Sequence, residues 1–428
     1  MNLIFSPVYE GTDVLVCYAS QTGTAANLAK QSGEIIQGQG KTVTVSSLSS
    51  LQPADFDRYP QVLMIVSTCG EGDIPDDGIA FYNQLQTQPA LNTRVSLLAL
   101  GDKSYKQYCI AGRLFHDELL RIGVAVDEDP ILVDGNPVKQ WQQWLEEQTD
   151  ITVEDTAAFE TEKDLTLKLV ENTALHQGDN GGNQAHRLVF KIDAEEAFQY
   201  QVGDLIGITP PGEKRERLYS IASGPSVKEN HVELCVGILS YQEKGETRYG
   251  KCSRYLTSEL NKGEPIAAKW KSGGGLALPA ADQPAIMIAT GAGIAPMMCL
   301  MQERVCQKHT ADNWLLFGNR KSSEDFYYQQ DLETLEKNGS LTYLDTAFSR
   351  DSEEKVYVQD VLKTQAPRLA QWLLEDKATL YVCGRPGLKP AILDVTREAL
   401  AAHLNDATQA EETLAELQAS ERIVFELF

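Results

Sequence analysis

Arg217-Leu218-Tyr219-Ser220 is followed by Gly250-Lys251-Cys252-Ser253, and then by Thr290-Gly291-Ala292-Gly293-Ile294-Ala295-Pro296. These three stretches decide the fold of the later part of the chain. The first sets a cation, an aromatic ring and a hydroxyl on one short extended segment. The second opens a predicted helix over Ser253–Leu260, whose N-terminal N–H groups suit a pyrophosphate. The third follows a strand and starts a helix, and its glycines let a pyrophosphate approach the backbone. R-x-Y-S alone is a weak signal, and so is the glycine turn. R-x-Y-S followed by G-x-x-S is a specific pairing.

The surrounding pattern changes character twice. Residues 164–282 alternate strands such as Leu165–Val170, Arg187–Ile192 and Val232–Leu239, broken by Gly and Pro, and predict an antiparallel β-barrel. From 283 to 428, strands and helices alternate, with strands expected at Ala285–Ala289, Trp314–Phe317, Leu341–Leu344 and Thr379–Cys383. The apolar run from Pro284 to Met301 contains Gly291, Gly293 and Pro296, so it reads as strand, turn and helix rather than a membrane span. Ser349, Arg350, Lys355 and Tyr357 supply a hydroxyl, two cations and an aromatic ring. That set suits an adenosine 2′-phosphate and predicts NADPH over NADH. An exposed charged loop would carry the same residues.

Upstream, residues 13–148 also alternate. Apolar runs at Val14–Tyr18, Val43–Val45, Val62–Val66 and Val95–Leu100 predict strands buried on both faces, with helices near 24–38, 78–88 and 108–122. This is a doubly wound α/β pattern, with ligands at the carboxyl ends of strands. Ala19-Ser20-Gln21-Thr22-Gly23-Thr24-Ala25 follows the first strand and could seat a phosphate on its N–H groups. It is equally an ordinary Ser/Thr-rich helix start. With no lysine and no G-x-x-x-x-G-K-[ST], it is not a triphosphatase loop. Thr68-Cys69-Gly70-Glu71-Gly72-Asp73 and Leu100-Gly101-Asp102-Lys103-Ser104-Tyr105 follow the third and fourth strands. Residues 150–163 are acidic and aperiodic, and read as a linker. The expected domains are therefore 1–149, 164–282 and 283–428.

Length and composition allow two or three ordinary globular domains. A net charge of −23 argues against nucleic acid or an anionic membrane as partner; it suits a basic partner, and also aids solubility. Acidic residues outnumber basic ones 19 to 9 in residues 1–150, which points to a basic docking face on an acceptor. The cysteines are scattered without C-x-x-C, which argues against zinc or iron–sulfur sites and for a reducing, cytoplasmic setting. The N-terminus lacks the pattern of a signal peptide.

In order and spacing, these motifs resemble the diflavin reductases, the family of cytochrome P450 reductase and the sulfite reductase flavoprotein. The resemblance runs from about residue 13 to 428. It implies a flavodoxin-like FMN domain, a ferredoxin-reductase-type FAD barrel and an NADPH-binding α/β domain. By resemblance, Ser20, Gln21, Thr22, Gly23, Thr24 and Ala25 hold the FMN phosphate. Thr68, Cys69, Gly70, Glu71 and Gly72 face its ring system, with Leu100, Gly101, Asp102, Tyr108 and Cys109 nearby and Tyr105 stacked on it. Arg217, Leu218, Tyr219, Ser220, Gly250, Lys251, Cys252 and Ser253 go to FAD, with Cys235, Gly237 and Tyr241 from the neighbouring strand. Thr290, Gly291, Gly293, Arg320, Ser349, Arg350, Lys355, Tyr357 and Gln359 go to NADPH. Ser220, Cys383 and Glu426 surround the hydride-transfer centre, and Phe428 covers the flavin.

The chain departs from the family in three places. Cys69 stands where many members have a second aromatic ring. Glu426 stands where an Asp is usual. The helical insert before R-x-Y-S is missing, because Tyr200-Gln-Val-Gly-Asp204 leads almost directly into Arg217. The implied function is electron transfer from NADPH through FAD and FMN to an external one-electron acceptor. Two alternatives stand beside it: a self-contained reductase of quinones, nitro compounds, ferric chelates or oxygen, and a flavoprotein subunit that depends on a sulfite-reductase-like partner.

Overall fold

Every residue of strand β1 (Val14–Ala19) is buried. A strand with no solvent face belongs inside a parallel sheet covered on both sides. β1 accordingly pairs in parallel with β2 (Val43–Ser47) and β3 (Gln61–Ser67). β4 (Arg94–Gly101) extends the sheet past β3, and the short β5 (Ala125–Val126) and β6 (Ile131–Asp134) both pair with β4. Alternate β1 residues feed two cores. Leu15 and Cys17 pack with Phe81 and Leu85 of α2 (Asp76–Leu85) and Phe115 and Leu119 of α3 (Ile110–Arg121). Val14 and Val16 pack with Leu28 and Ile36 of α1 (Thr24–Gly38) and Trp141 and Trp144 of α4 (Val138–Thr149). Each buried indole N–H has a partner: Trp141 donates to Ser32 Oγ and Trp144 to Ser96 Oγ, both at 2.9 Å. The chain leaves β1 toward β2 on one side and returns to β3 on the other. The loops after β1 and β3 therefore flank a switch point in strand order, where doubly wound sheets bind ligands.

This computed structural model describes residues 14–21, 23–69, 72–103, 107–126, 129–153, 161–178, 184–194, 197–243, 245–273 and 275–428. It divides into two compact units, Met1–Glu162 and Lys163–Phe428. Half of the expected linker, residues 154–160, lies outside the described residues; of the rest, Ile151 and Val153 are buried in the core of the first unit and Glu162 opens the next strand.

The second unit opens with a sheet of β7 (Glu162–Ala174), β8 (Ala185–Ile192), β9 (Leu205–Ile208), β10 (Arg217–Ser220), β11 (His231–Gly237) and β14 (Pro265–Lys271), ordered β10-β9-β14-β7-β8-β11. A bridge between Ile221 and Leu234 links its two edges, so the barrel is nearly closed. β9 and β10 form an antiparallel pair with Ile208 opposite Arg217, so the missing insert leaves a plain short connection. A hairpin of β12 (Ser240–Glu243) and β13 (Glu246–Tyr249) precedes α5 (Lys251–Arg254), which runs on as a π-type turn over Tyr255–Glu259. The helix thus starts two residues before the expected Ser253.

Beyond the barrel, β15 (Ala285–Thr290), β16 (Asn313–Asn319), β17 (Tyr343–Phe348), β18 (Thr379–Gly384) and β19 (Ile423–Leu427) form a parallel sheet in the order β17-β16-β15-β18-β19. The connections include α6 (Ile294–Cys306), α7 (Ser322–Asp325), α8 (Gln329–Lys337), α9 (Val358–Thr364), α10 (Ala366–Leu374), α11 (Leu388–Leu404) and α12 (Ala407–Ala419). The strand expected at Leu341–Leu344 lies later. Leu341 is buried but precedes the ladder, which begins with Tyr343 opposite Trp314. Among the described residues, no helix is long and apolar enough to cross a membrane.

Candidate functional site

The loop after β1 enters α1 through Gly23, whose φ of 87° suits glycine. No side chain caps the helix, so its first N–H groups are left for another acceptor. Ser20 Oγ is buried and has no hydrogen-bond partner among the described residues. A buried orphan hydroxyl beside an uncapped helix N-terminus fits a phosphate group. Sequence reading missed Asp77. Its carboxylate accepts from the Ser20 N–H at 3.0 and 3.1 Å and from Ser47 Oγ at 3.2 Å, holding the loop from the start of α2. Gln21 Oε1 likewise accepts from the Asp76 N–H at 3.2 Å. Fifty-seven positions separate Ser20 from Asp77 in sequence, too far for a local motif to reveal the contact.

The loop after β3 is tied to itself and to its neighbour. Cys69 N–H donates to Asp73 O at 3.0 Å, and Thr68 Oγ1 accepts from the Ala111 N–H at 3.3 Å. Gly72 has φ 132°, and a Cβ there would lie 2.2 Å from Gln107 Oε1. Burial, followed by the charges of Asp73 and Asp76, pushes the Cys69 thiol up to about 11. The loop after β4 packs as tightly: a Cβ on Gly101 would lie 2.7 Å from Cys109 Sγ. Cys109 is buried and donates to Ala99 O and Val133 O, which makes it part of the wall rather than a reactive thiol. Lys103 Nζ lies 5.4 Å from the Tyr108 ring centroid, and burial raises the Tyr108 phenol to about 12. Leu100 is buried, while Asp102 is exposed. Of the expected FMN residues, Thr22, Gly70, Glu71 and Tyr105 lie outside the described residues.

In the second unit, four parts of the chain meet. Ser220 Oγ, at the end of β10, donates to Glu426 Oε1 on β19. Glu426 stands opposite Cys383 in the β18–β19 register. Glu426 is partly exposed as a residue, but its Oε2 is buried with no partner. Burial lifts this carboxyl to about 7, against the lowering effect of the Ser220 hydrogen bond. Cys383 is fully buried. Its thiol is pushed well up by burial, then by the Glu426 charge and by Cys235 on β11. At the far end of β11, a Cβ on Gly237 would sit 3.7 Å from Ala292 Cβ, so this barrel strand abuts the glycine turn.

The expected FAD residues lie on β10, β11 and β12 and on the turn into α5. The Arg217 guanidinium is exposed and donates to the nearby carbonyls of Arg215 and Glu216. Tyr219 and Cys252 are neighbours, and burial raises both. Ser253 Oγ donates to Gly250 O at 3.1 Å and accepts from the Leu239 N–H at 3.3 Å. Lys251 pairs with Glu213, so its ammonium is engaged. Leu218 and Tyr241 are exposed.

The expected NADPH residues gather at the carboxyl edge of the parallel sheet. The Ser349 N–H donates to Asn319 O at 3.0 Å, and the Arg350 N–H to Arg320 O at 2.7 Å, which joins the ends of β16 and β17. A Cβ on Gly318 would lie 2.5 Å from Val358 Cγ1, so the start of α9, flanked by Tyr357 and Gln359, packs against β16. Tyr357 and Lys355 are exposed. Phe428 is 63% exposed, and its N–H donates to Gly384 O at 3.0 Å. Its backbone extends the β18–β19 pairing, and its ring lies mostly in solvent.

A flavodoxin family model matches residues 16–148, and an oxidoreductase NAD-binding domain model matches residues 287–394. Similar curated proteins include the NADPH sulfite reductase flavoprotein alpha-components of Vibrio vulnificus, Bacillus subtilis and Vibrio cholerae. The first is 27% identical, over 86% of this chain and 79% of the relative. The second is 26% identical, over 87% and 82%. The third is 27% identical, over 95% and 86%. The Vibrio vulnificus alignment spans 494 positions, more than the 428 residues of this chain, so it opens gaps in this chain. That agrees with the short connection between β9 and β10.

Proposed function

We infer that this chain, a member of the diflavin reductase family, is an NADPH-dependent flavoprotein oxidoreductase that carries FMN and FAD and delivers electrons to an external one-electron acceptor. When bound, the nicotinamide supplies a hydride and the flavins divide that electron pair into single electrons. The residues of the chain bind, orient and screen.

The observation that carries this reading is the meeting of Ser220, Cys383 and Glu426. A hydroxyl, a thiol and a carboxyl from β10, β18 and β19 converge beside the glycine turn of β15. Ser220 orients the Glu426 carboxyl. A carboxylate there favours the positive charge that develops on a nicotinamide as it loses hydride. Phe428 is placed to close over the site from the end of β19.

We assign 1–149 to FMN, 164–282 to FAD and 283–428 to NADPH. Ser20, Gly23 and the N-terminus of α1 hold the FMN phosphate. Arg217, with the Gly250–Ser253 turn, takes the FAD pyrophosphate. Ser349, Arg350, Lys355 and Tyr357 take the 2′-phosphate. We place the protein in the cytoplasm, in keeping with eight cysteines that are all free. The acceptor is a haem or other redox protein with a basic face, and the names of the relatives point to a sulfite-reductase-like partner. A second reading, direct reduction of small acceptors, is favoured by Cys69, a half-buried thiol where an aromatic ring would shield the flavin.

The test is to release and quantify the flavins, follow anaerobic reduction by NADPH, and assay cytochrome c as a generic acceptor. One FMN and one FAD per chain, both reduced, is the expected result. FAD alone, or FMN that stays oxidised, would overturn the relay. Rapid turnover of quinones with no gain from any protein acceptor would favour the second reading.

A further inference from the structure

We propose that Arg385 is a phosphate-binding residue that grips the pyrophosphate of the nicotinamide dinucleotide from the β18 side of the glycine turn, opposite Arg320. The inference rests on the NADPH reading above.

Strand order is the first argument. β15 lies between β16 and β18, and its turn, Gly291–Gly293, marks the middle of the carboxyl edge. Thr290 is level with Gly318 on one side, and Ala289 is level with Cys383 on the other. Arg320 follows Gly318 by two residues, and Arg385 directly follows Gly384. The two arginines therefore flank the turn. The backbone that carries Arg385 is pressed close: a Cβ on Gly293 would lie 2.4 Å from Cys383 O, and one on Gly384 would lie 2.2 Å from Thr290 Oγ1.

Charge is the second argument. Among the described residues of the α/β half, Arg368 pairs with Asp345, and Arg397 with Asp394 and Glu411. Arg304 and Arg422 donate to backbone carbonyls. Arg320, Arg350 and Arg385 make no close ion pair with a carboxylate among the described residues, and each lies just past the carboxyl end of a strand. In a chain of net charge −23, carboxylates are abundant, yet Arg320 feels the charges of both Arg350 and Arg385 beside that of Asp325. Burial and the charge of Arg350 lower Arg320, the Asp325 carboxylate offsets them in part, and the charge of Arg385 lowers it further. A fold that holds like charges together at a ligand edge is built for an anion.

Position divides the labour. Arg350 and Ser349 belong to the β17 side and take the 2′-phosphate. Arg385 lies on the far side of the glycine turn, next to the hydride-transfer residue Cys383, and takes the pyrophosphate. Arg320 stands between them.

The test compares R385A, R385Q and R350A in the full chain, using NADPH and NADH as donors, ferricyanide as acceptor, and NADP+ and 2′-AMP as inhibitors. Arg385 is exposed, and equal flavin content and melting temperature will show that its variants are folded. R385A and R385Q should raise KM for both donors together by about tenfold, with kcat little changed. They should weaken NADP+ and leave 2′-AMP inhibition intact, while R385K recovers part of the loss. R350A should raise KM for NADPH alone and weaken 2′-AMP. Unchanged KM values in the Arg385 variants would overturn the proposal. So would a rise confined to NADPH with loss of 2′-AMP binding, which would move Arg385 to the 2′-phosphate. A wild-type protein that does not oxidise NADPH would instead refute the functional reading.

Discussion

Ser220 and Glu426 lie 206 residues apart in sequence, yet the hydroxyl of one donates to the carboxyl of the other. This bond joins the barrel to the last strand of the nucleotide-binding sheet. Burial raises the carboxyl to about 7, and this bond holds it from rising further.

The first prediction concerns pH. The ionised carboxylate is the form that favours hydride loss, so NADPH-driven FAD reduction should rise as pH increases through about 7. Glu426→Gln should remove that inflection and slow reduction by roughly tenfold to a hundredfold. Stability should run the other way. The folded carboxyl is raised above its ordinary value of 4.5, so the stability gained by keeping it neutral is complete below about pH 4.5 and lost as pH rises through about 7. Stopped-flow reduction and denaturant titration across pH, in wild type and variant, check both signs. A pH profile shared by wild type and Glu426→Gln would refute the assignment.

The second concerns Ser20, whose buried hydroxyl has no partner among the described residues. Ser20→Ala should weaken FMN binding by about tenfold while the FAD content is unchanged. Cytochrome c reduction should fall with FMN occupancy, and ferricyanide reduction from FAD should persist. Equal FMN affinity in the variant would remove Ser20 from the phosphate site.

A third prediction tests the contact between the glycine turn and β18. A Cβ on Gly293 would lie 2.4 Å from the Cys383 carbonyl oxygen, and backbone cannot yield cheaply. Gly293→Ala should cost about 1–3 kcal/mol and displace Cys383, slowing hydride transfer without loss of FMN. A variant with wild-type melting temperature and reduction rate would contradict this packing.

The fourth concerns Cys69. With its thiol raised to about 11, it is protonated at neutral pH and should resist alkylation between pH 7 and 8. The exposed Cys306 should react before it. Cys69→Tyr should slow turnover with oxygen and quinones if the ring shields the flavin; unchanged rates would show that the thiol already screens it.

The alternation of strands and helices was legible because β1, β3, β4, β15 and β18 are buried along nearly their whole length. Continuous apolar runs of that kind leave a strong signal. β19 left none: only Ile423 of its five residues is buried, so its tail could be read as a motif but not as a strand. The glycine turn and the Ser349–Arg350 pair were visible for their chemistry. Asp77 and Arg385 were not, since their importance lies in which loops the sheets bring side by side. Cys383-Gly384 forms a recognisable motif, whereas the arginine that follows belongs to none.

The division of the chain at Glu162 has a kinetic corollary. For transfer within one polypeptide, electron passage between the cofactors of the two units would be a first-order event, independent of protein concentration. Cleavage of the segment around 154–160 would make the same step bimolecular. Its rate would then scale with the concentration of the two fragments, and dilution alone would silence the enzyme.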